Sequence, residues 1–163
     1  SLAADLTTFV PGRTLDDNAH IMLRYAGGAR GMIWTSQVAV GKENDLRLAV
    51  HGERGSLEWA QEDPNKLWHT PQGDSTRLIT RGGPAAGKSA TRVTRIPAGH
   101  PEGYLEGFAT IYSEAAAIIR AKQSGLPVPP DVIAPTTQDG IAGVAFIEAC
   151  VQSSQRDAAW IRL

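Results

Sequence analysis

Before Pro101 the apolar residues of this chain tend to alternate along short runs, and after it they recur every third or fourth position. A strand shows alternate residues to opposite faces, whereas a helix gathers positions three and four apart into one stripe. The change of period therefore divides the chain into a strand-forming first part and a helix-forming second part. "AHIMLRYA" and "ARGMIWTSQVAV" flank Gly27-Gly28, which reads as a two-residue hairpin turn with positive φ at both positions. Alternation puts Met32, Trp34, Ser36 and Val38 on one face of the second run, and Ile33, Thr35, Gln37 and Ala39 on the other. Both faces are partly apolar, which predicts a strand covered on both sides. "LRLAVHG", "SLEWA", "KLWHT" and "TRLIT" follow, separated by turn signals at Glu53-Arg54-Gly55, Asp63-Pro64-Asn65 and Pro71-Gln72-Gly73. The opening "SLAADLTTFV" and the closing "AAWIRL" also read as strands. The expectation is an open, mostly antiparallel sheet, a meander of about six or more strands.

Beyond Pro101, Tyr104, Phe108, Ile111, Tyr112, Ala115 and Ile119 fall on one helical face. Gly125, with Pro127 just beyond, ends that helix. After the connector "LPVPPDVIAP", Thr136 and Asp139 have the spacing of a capping box that opens a second helix. Ile141, Val144, Ala145, Glu148 and Val151 mark one side of it, with Phe146 and Ile147 widening the apolar surface. Gly140 and Gly143 suggest a close approach by another backbone. Strands first and helices second define an α+β class, with the two C-terminal helices on one side of the sheet. At 163 residues the chain has the size of one domain, taken as 1–163, and it contains no internal repeat.

The balance of 16 basic against 17 acidic residues lacks the excess positive charge that a nucleic-acid partner demands. No apolar stretch approaches the ~20 residues of a membrane-spanning helix, so no membrane partner is expected. Cys150 is the single cysteine, which excludes an internal disulfide and fits a cytoplasmic setting. Its neighbourhood, "VAFIEACV", predicts a buried structural thiol. No signal peptide precedes the first strand run, and the abrupt start suggests a piece of something longer.

Gly82-Gly83-Pro84-Ala85-Ala86-Gly87-Lys88-Ser89 spells the phosphate-binding pattern Gly-x-x-x-x-Gly-Lys-Ser. A working phosphate loop needs a helix beginning at Lys-Ser, so that N-terminal amides meet the anion. Here Thr91, Val93, Thr94 and Ile96 are β-branched and Pro97 follows, so the backbone after Ser89 is expected to run extended or irregular. With its glycines and no apolar anchor, the 82–92 segment reads as a mobile loop. Asp16 and His20 resemble an acid–base pair in spacing, but on a strand they would stand about 13 Å apart.

"DDNAHIMLRY", "GGARG", "SQVA", "GERGSLEW" and "HPEGYLEGF", in this order and spacing, make the chain resemble the C-terminal half of the glucose–fructose oxidoreductase/inositol dehydrogenase (Gfo/Idh/MocA) family. The similarity runs over nearly all of the chain. It implies a C-terminal domain of an NAD(P)-dependent dehydrogenase acting on sugars, polyols or related carbonyl compounds. In such enzymes an N-terminal Rossmann domain binds NAD or NADP, and the second domain contributes to the substrate pocket and to subunit contacts. This chain has no Gly-x-Gly-x-x-Gly after a strand and no Glu-Lys-Pro. The family's helical Asp-x-x-x-His lies upstream of it, and the resemblance puts Asp16 and His20 on a sheet strand. The Rossmann domain, the cofactor-binding residues and the catalytic residues are thus expected outside the chain. Alone, it is expected to bind no cofactor and to be inactive.

Within the chain, Gly99-His100-Pro101-Glu102-Gly103-Tyr104 brings an imidazole and an aromatic ring to the start of a helix, where backbone N–H groups are free. His100 and Tyr104 are therefore candidate substrate contacts. Gln37 is a third, since its amide can read a sugar hydroxyl. Asn44 could act likewise or simply form a turn, and His51 and His69 lack a partner at metal spacing, so no metal is expected. Trp34, Trp59, Trp68 and Trp160 read as packing or interface residues. Two helices leave much of a wide sheet uncovered, which predicts a homo-oligomer formed through the sheet face. The alternative is a non-catalytic sheet module for protein association or carbohydrate binding.

Overall fold

Strands β1 (Leu2–Thr7), β2 (Asn18–Arg24) and β3 (Arg30–Ser36) form one antiparallel sheet in that order. Strands β4 (Arg47–Gly52), β5 (Gly55–Ala60), β6 (Lys66–Pro71) and β7 (Arg77–Thr80) form a second. Helices α1 (Lys88–Thr91), α2 (Tyr104–Gln123) and α3 (Thr137–Ser154) complete the chain, which is α+β. The computed structural model describes residues 1–163. Their contacts group into two units, 1–42 with 135–163 and 43–134. The strands expected in one meander are thus divided: each sheet is a meander, and no ladder joins β3 to β4. The linking segment turns sharply, with Gly41 at φ 86° and Asp45 at φ 44°, backbone that cannot continue a strand.

In the first unit the register of β1 and β2 pairs Leu2 with Leu23, Ala4 with Ile21 and Leu6 with Ala19, so these side chains share one face. Ala149 and Cys150 of α3 complete the core against that face, and Phe146 and Ile161 pack on its rim. Cys150 is buried as expected, and burial, with the charge of Asp16, pushes its thiol pKa up. Strand β1 lies at the sheet edge, so the N–H groups of Leu2, Ala4 and Leu6 have no partner strand. All are satisfied: Leu2 donates to the Ile161 carbonyl, Ala4 to Ser153 Oγ and Leu6 to Ser154 Oγ. The closing "AAWIRL" accordingly makes only a single antiparallel bridge, Leu2 with Ile161, instead of a strand. The helix hydroxyls already occupy the edge further along.

Several local expectations change here. The β2–β3 hairpin has Gly28, not Gly27, at positive φ. Gly28 N–H donates to the Tyr25 carbonyl and Tyr25 N–H to Ala29, a three-residue loop whose last position needs glycine. Strand β3 is not covered on both sides, since Met32, Ile33 and Trp34 are all exposed. Thr136 and Asp139 do form the capping box: Thr136 N–H donates to Asp139 Oδ2 at 2.7 Å, and Asp139 N–H to Thr136 Oγ1 at 3.4 Å. Gly140 and Gly143 have open space where a side chain would stand, so no backbone comes close to them. Asp17 is buried and ties the 9–13 turn to β2, accepting from the N–H groups of Phe9 and Val10 and from Arg13. The Phe9 N–H foremost, then Val10 and Arg13, hold its carboxyl below the ordinary value despite burial.

In the second unit one sheet face carries the row Leu48, Trp59, Leu67 and Ile79, beside Val50 and Leu57. Leu48, Val50 and Leu57 on it are exposed, as is Trp68 on the opposite face. The buried side chains of this unit are instead mostly ionic. Glu114 of α2 accepts from Arg92 at 2.6 Å and from the Ile133 N–H at 3.1 Å, which clips the segments on both sides of the helix to it. Glu102 does the same for the segment before α2. After Ser89 the backbone is not extended, as α1 makes one helical turn from the N-cap Gly87. The Thr91 hydroxyl donates to the Gly87 carbonyl inside this turn, and the Thr94 hydroxyl, just past its end at Arg92, donates to the Ala90 carbonyl, so both β-branched residues bond back to the turn.

Candidate functional site

His100 and Tyr104 lie in the loop and first turn that begin α2, and the way this segment is held defines the site. Pro97 and Pro101 restrict the loop backbone, and Gly99 turns it at φ 86°. Gly103 sits against Pro64 so closely that a Cβ would stand 3.0 Å from the Pro64 ring, which makes glycine the fitting residue. The Gly103 N–H donates to Glu106 Oε2 at 2.8 Å, and this bond is the main reason the Glu106 carboxyl titrates below its usual value. Helix α2 therefore starts with a fixed carboxylate over its first turn, where the helix dipole favours negative charge.

The His100 side chain is exposed, and Nδ1 sits 3.3 Å from the Pro97 carbonyl. A carbonyl only accepts, so in the neutral ring the proton sits on Nδ1 and the lone pair on Nε2. Tyr104 is 72% exposed, with its ring 5.0 Å from that of Phe108 at a tilt of 59°. The pair offers an imidazole acceptor, a phenol and an aromatic face: chemistry that suits a polyhydroxylated ligand with both C–H and O–H surfaces. Gln37 belongs to the other unit, just past β3. Its side chain is exposed, while its N–H donates to the Asp17 carbonyl at 2.7 Å.

Asp16 and His20 form no pair. His20 Nδ1 lies 3.3 Å from Asn18 Nδ2, and its ring stacks on Trp34, whose Nε1–H donates to Asn18 Oδ1 at 2.9 Å. No group of three His, Cys, Asp or Glu side chains gathers at metal-holding distance. The groove bordered by Thr137, Ile141, Val144 and Glu148 is one open side of α3 and not an enclosed cleft. Sequence reading missed the group that holds the site in place: Arg81, Asn65, Arg95 and Glu102. Its only local sign is a glutamate in the otherwise turn-forming "GHPEGY".

The chain is thus an α+β arrangement of two antiparallel meanders, with exposed apolar residues on both sheets and a histidine-bearing loop at a helix start. A family model described as "Oxidoreductase family, C-terminal alpha/beta domain" matches residues 3–163. The chain belongs to this Gfo/Idh/MocA family, as its C-terminal domain. It is 33% identical over 98% of its length to "Uncharacterized oxidoreductase YfiI" of Bacillus subtilis (strain 168), of which it spans 41%. The crystal structure of an oxidoreductase from Sinorhizobium meliloti superposes at a TM-score of 0.94 with 56% identity, over 99% of this chain and 45% of that one. An inositol dehydrogenase homolog from Azotobacter vinelandii, complexed with NADH and myo-inositol, superposes at 0.90 with 34% identity, over 99% and 43%. The chain thus spans under half the length of these relatives.

Proposed function

We propose that this chain is the substrate-binding and oligomerisation domain of an NAD- or NADP-dependent oxidoreductase that acts on sugars, polyols or related carbonyl compounds. The observation that carries this reading is its likeness, over 99% of its length, to the inositol dehydrogenase homolog complexed with NADH and myo-inositol. The chain's own residues do not fit a dinucleotide. Its glycine-rich segment before α1 opens a helix of only 4 residues, too short to present a useful set of aligned amides to a pyrophosphate. The nicotinamide cofactor is therefore assigned to the part of the enzyme beyond this chain. What this chain supplies is recognition: His100 Nε2 accepts from a substrate hydroxyl and Tyr104 covers a C–H face. The same reading puts the enzyme in the cytoplasm, which its single free cysteine fits. Separately, no helix here is long and apolar enough to cross a membrane.

Steady-state kinetics of the full-length enzyme test the assignment. Losing one hydrogen bond to substrate is worth about 1 kcal/mol, so His100→Ala should lower kcat/KM about five- to tenfold. Kinetics unchanged with every polyol and sugar turned over would remove His100 from the site. The exposed Leu48, Val50 and Leu57, with Met32 and Trp34 on the other sheet, support association through the sheet faces. Light scattering of the full-length protein should then give at least a dimer, and a monomer at high concentration would end that part of the reading.

A further inference from the structure

Arg81 follows β7 directly, and its side chain is only 13% exposed. A guanidinium has five N–H donors in a fixed plane, and every one of its nitrogens is engaged here. Nε donates to Asn65 Oδ1 at 2.7 Å. One terminal nitrogen donates to the Ile96 carbonyl at 3.0 Å and lies 2.8 Å from Glu102 Oε2. The other donates to the Pro97 carbonyl at 3.2 Å and to the His100 carbonyl at 2.5 Å. Glu102, 4% exposed at its side chain, closes the arrangement by accepting from the Arg95 N–H at 2.9 Å. Its own N–H shares the Asn65 oxygen at 3.3 Å.

One side chain thus grips the 96–100 loop by three of its carbonyls and anchors it to the turn between β5 and β6. These carbonyls belong to a segment with no strand or helix to satisfy them, and Pro97 within it, like Pro101 just beyond, donates nothing. Without the guanidinium the loop keeps the His100 N–H to Pro97 carbonyl turn bond, with Glu102 bonded to the Arg95 N–H and to Asn65 at its flanks. The Ile96 and His100 carbonyls lose the donor that Arg81 gives them. His100 depends on this arrangement for its position, since its Nδ1 partner is the Pro97 carbonyl that Arg81 also holds. A lysine could keep a positive charge beside Glu102, but one compact ammonium cannot reach acceptors spread over this plane.

We propose that Arg81 is the positioning residue of the His100 site, fixing the imidazole for substrate through the Ile96, Pro97 and His100 carbonyls and the Glu102 carboxylate. This rests on the reading of His100 as a substrate contact. The test uses the full-length enzyme and compares Arg81→Lys, His100→Ala and the double variant by steady-state kinetics and amide hydrogen exchange. Arg81→Lys should raise KM about tenfold with a smaller change in kcat. It should also speed exchange of the 95–102 amides at least tenfold, while β4–β6 and the middle of α2 keep their protection. In the His100→Ala background the same change should alter KM less than about twofold, because both act through one group. Full multiplication of the two effects would show that Arg81 acts elsewhere, and unchanged loop exchange would show that it does not hold the loop; either overturns the proposal. Loosened exchange together with wild-type kinetics for His100→Ala would retire the substrate-contact reading, and with it the positioning role. If Arg81→Lys does not fold, Asn65→Ala, which removes the Nε acceptor, should show the same pattern at reduced size, and its absence counts equally against the proposal.

Discussion

Glu102→Ala destabilises the protein by about 3 kcal/mol, read as a lowered urea midpoint of the full-length enzyme. The carboxylate is nearly enclosed and accepts from Arg81 and from the Arg95 N–H, so its removal strands a buried guanidinium and a backbone donor together. Breaking a buried pair from one side costs more than the pair is worth, because the remaining charge keeps its desolvation penalty without a partner. The loop carbonyls still accept from Arg81, which holds the figure to the low end of the range for such pairs. Glu102→Gln keeps an acceptor for the Arg95 N–H and loses only the charge, so its cost should be roughly half. A loss under about 1 kcal/mol for the alanine variant would mean that water already screens the pair.

Ser153→Ala is the second large effect, and it strikes the first unit. Ser153 is fully buried, and its hydroxyl both accepts from the Ala4 N–H at 2.8 Å and donates to the Ala159 carbonyl at 2.7 Å. Alanine fills nearly the same space, so packing is kept while the buried Ala4 N–H loses its acceptor and the carbonyl of the exposed Ala159 loses a donor that water can replace. An unsatisfied buried group costs about 1–3 kcal/mol, so about 2 kcal/mol is expected for the Ala4 N–H. Ser154→Ala is the control: its hydroxyl accepts from Leu6 N–H at 3.0 Å in a half-buried place where water can substitute, so about 1 kcal/mol is expected. Equal losses for the two serines would contradict the edge-capping role assigned to Ser153.

What was legible in the sequence follows the range of the forces concerned. The capping box of Thr136 and Asp139 closes within one helical turn, so spacing alone revealed it. The α+β class and the helix ends near Gly125 and Thr136 were equally local. The turn after Gly87 was misjudged because propensity weighs against β-branched residues. The hydroxyls of Thr91 and Thr94 reverse that over a single turn by bonding carbonyls behind them. The closing "AAWIRL" has strand composition, yet only one of its residues bridges to β1, because Ser153 and Ser154 reached the edge first. Competition for one strand edge is invisible to pattern reading.

The candidate site divides in the same way. His100 and Tyr104 stood out because an imidazole and a ring beside prolines and glycines mark a loop entering a helix. Nothing marked Arg81, which lies 19 positions from His100 and resembles any charged residue after a short strand. By itself the sequence determined the order of strands and helices, the caps, and the membership of the family, since each rests on neighbours along the chain or on a pattern spread over its whole length. The tertiary structure alone decided how the strands divide into two sheets, which groups close the β1 edge, and which guanidinium holds the site loop. Those outcomes depend on buried polar groups finding partners across long stretches of sequence, and desolvation enforces such pairings only once the chain has folded.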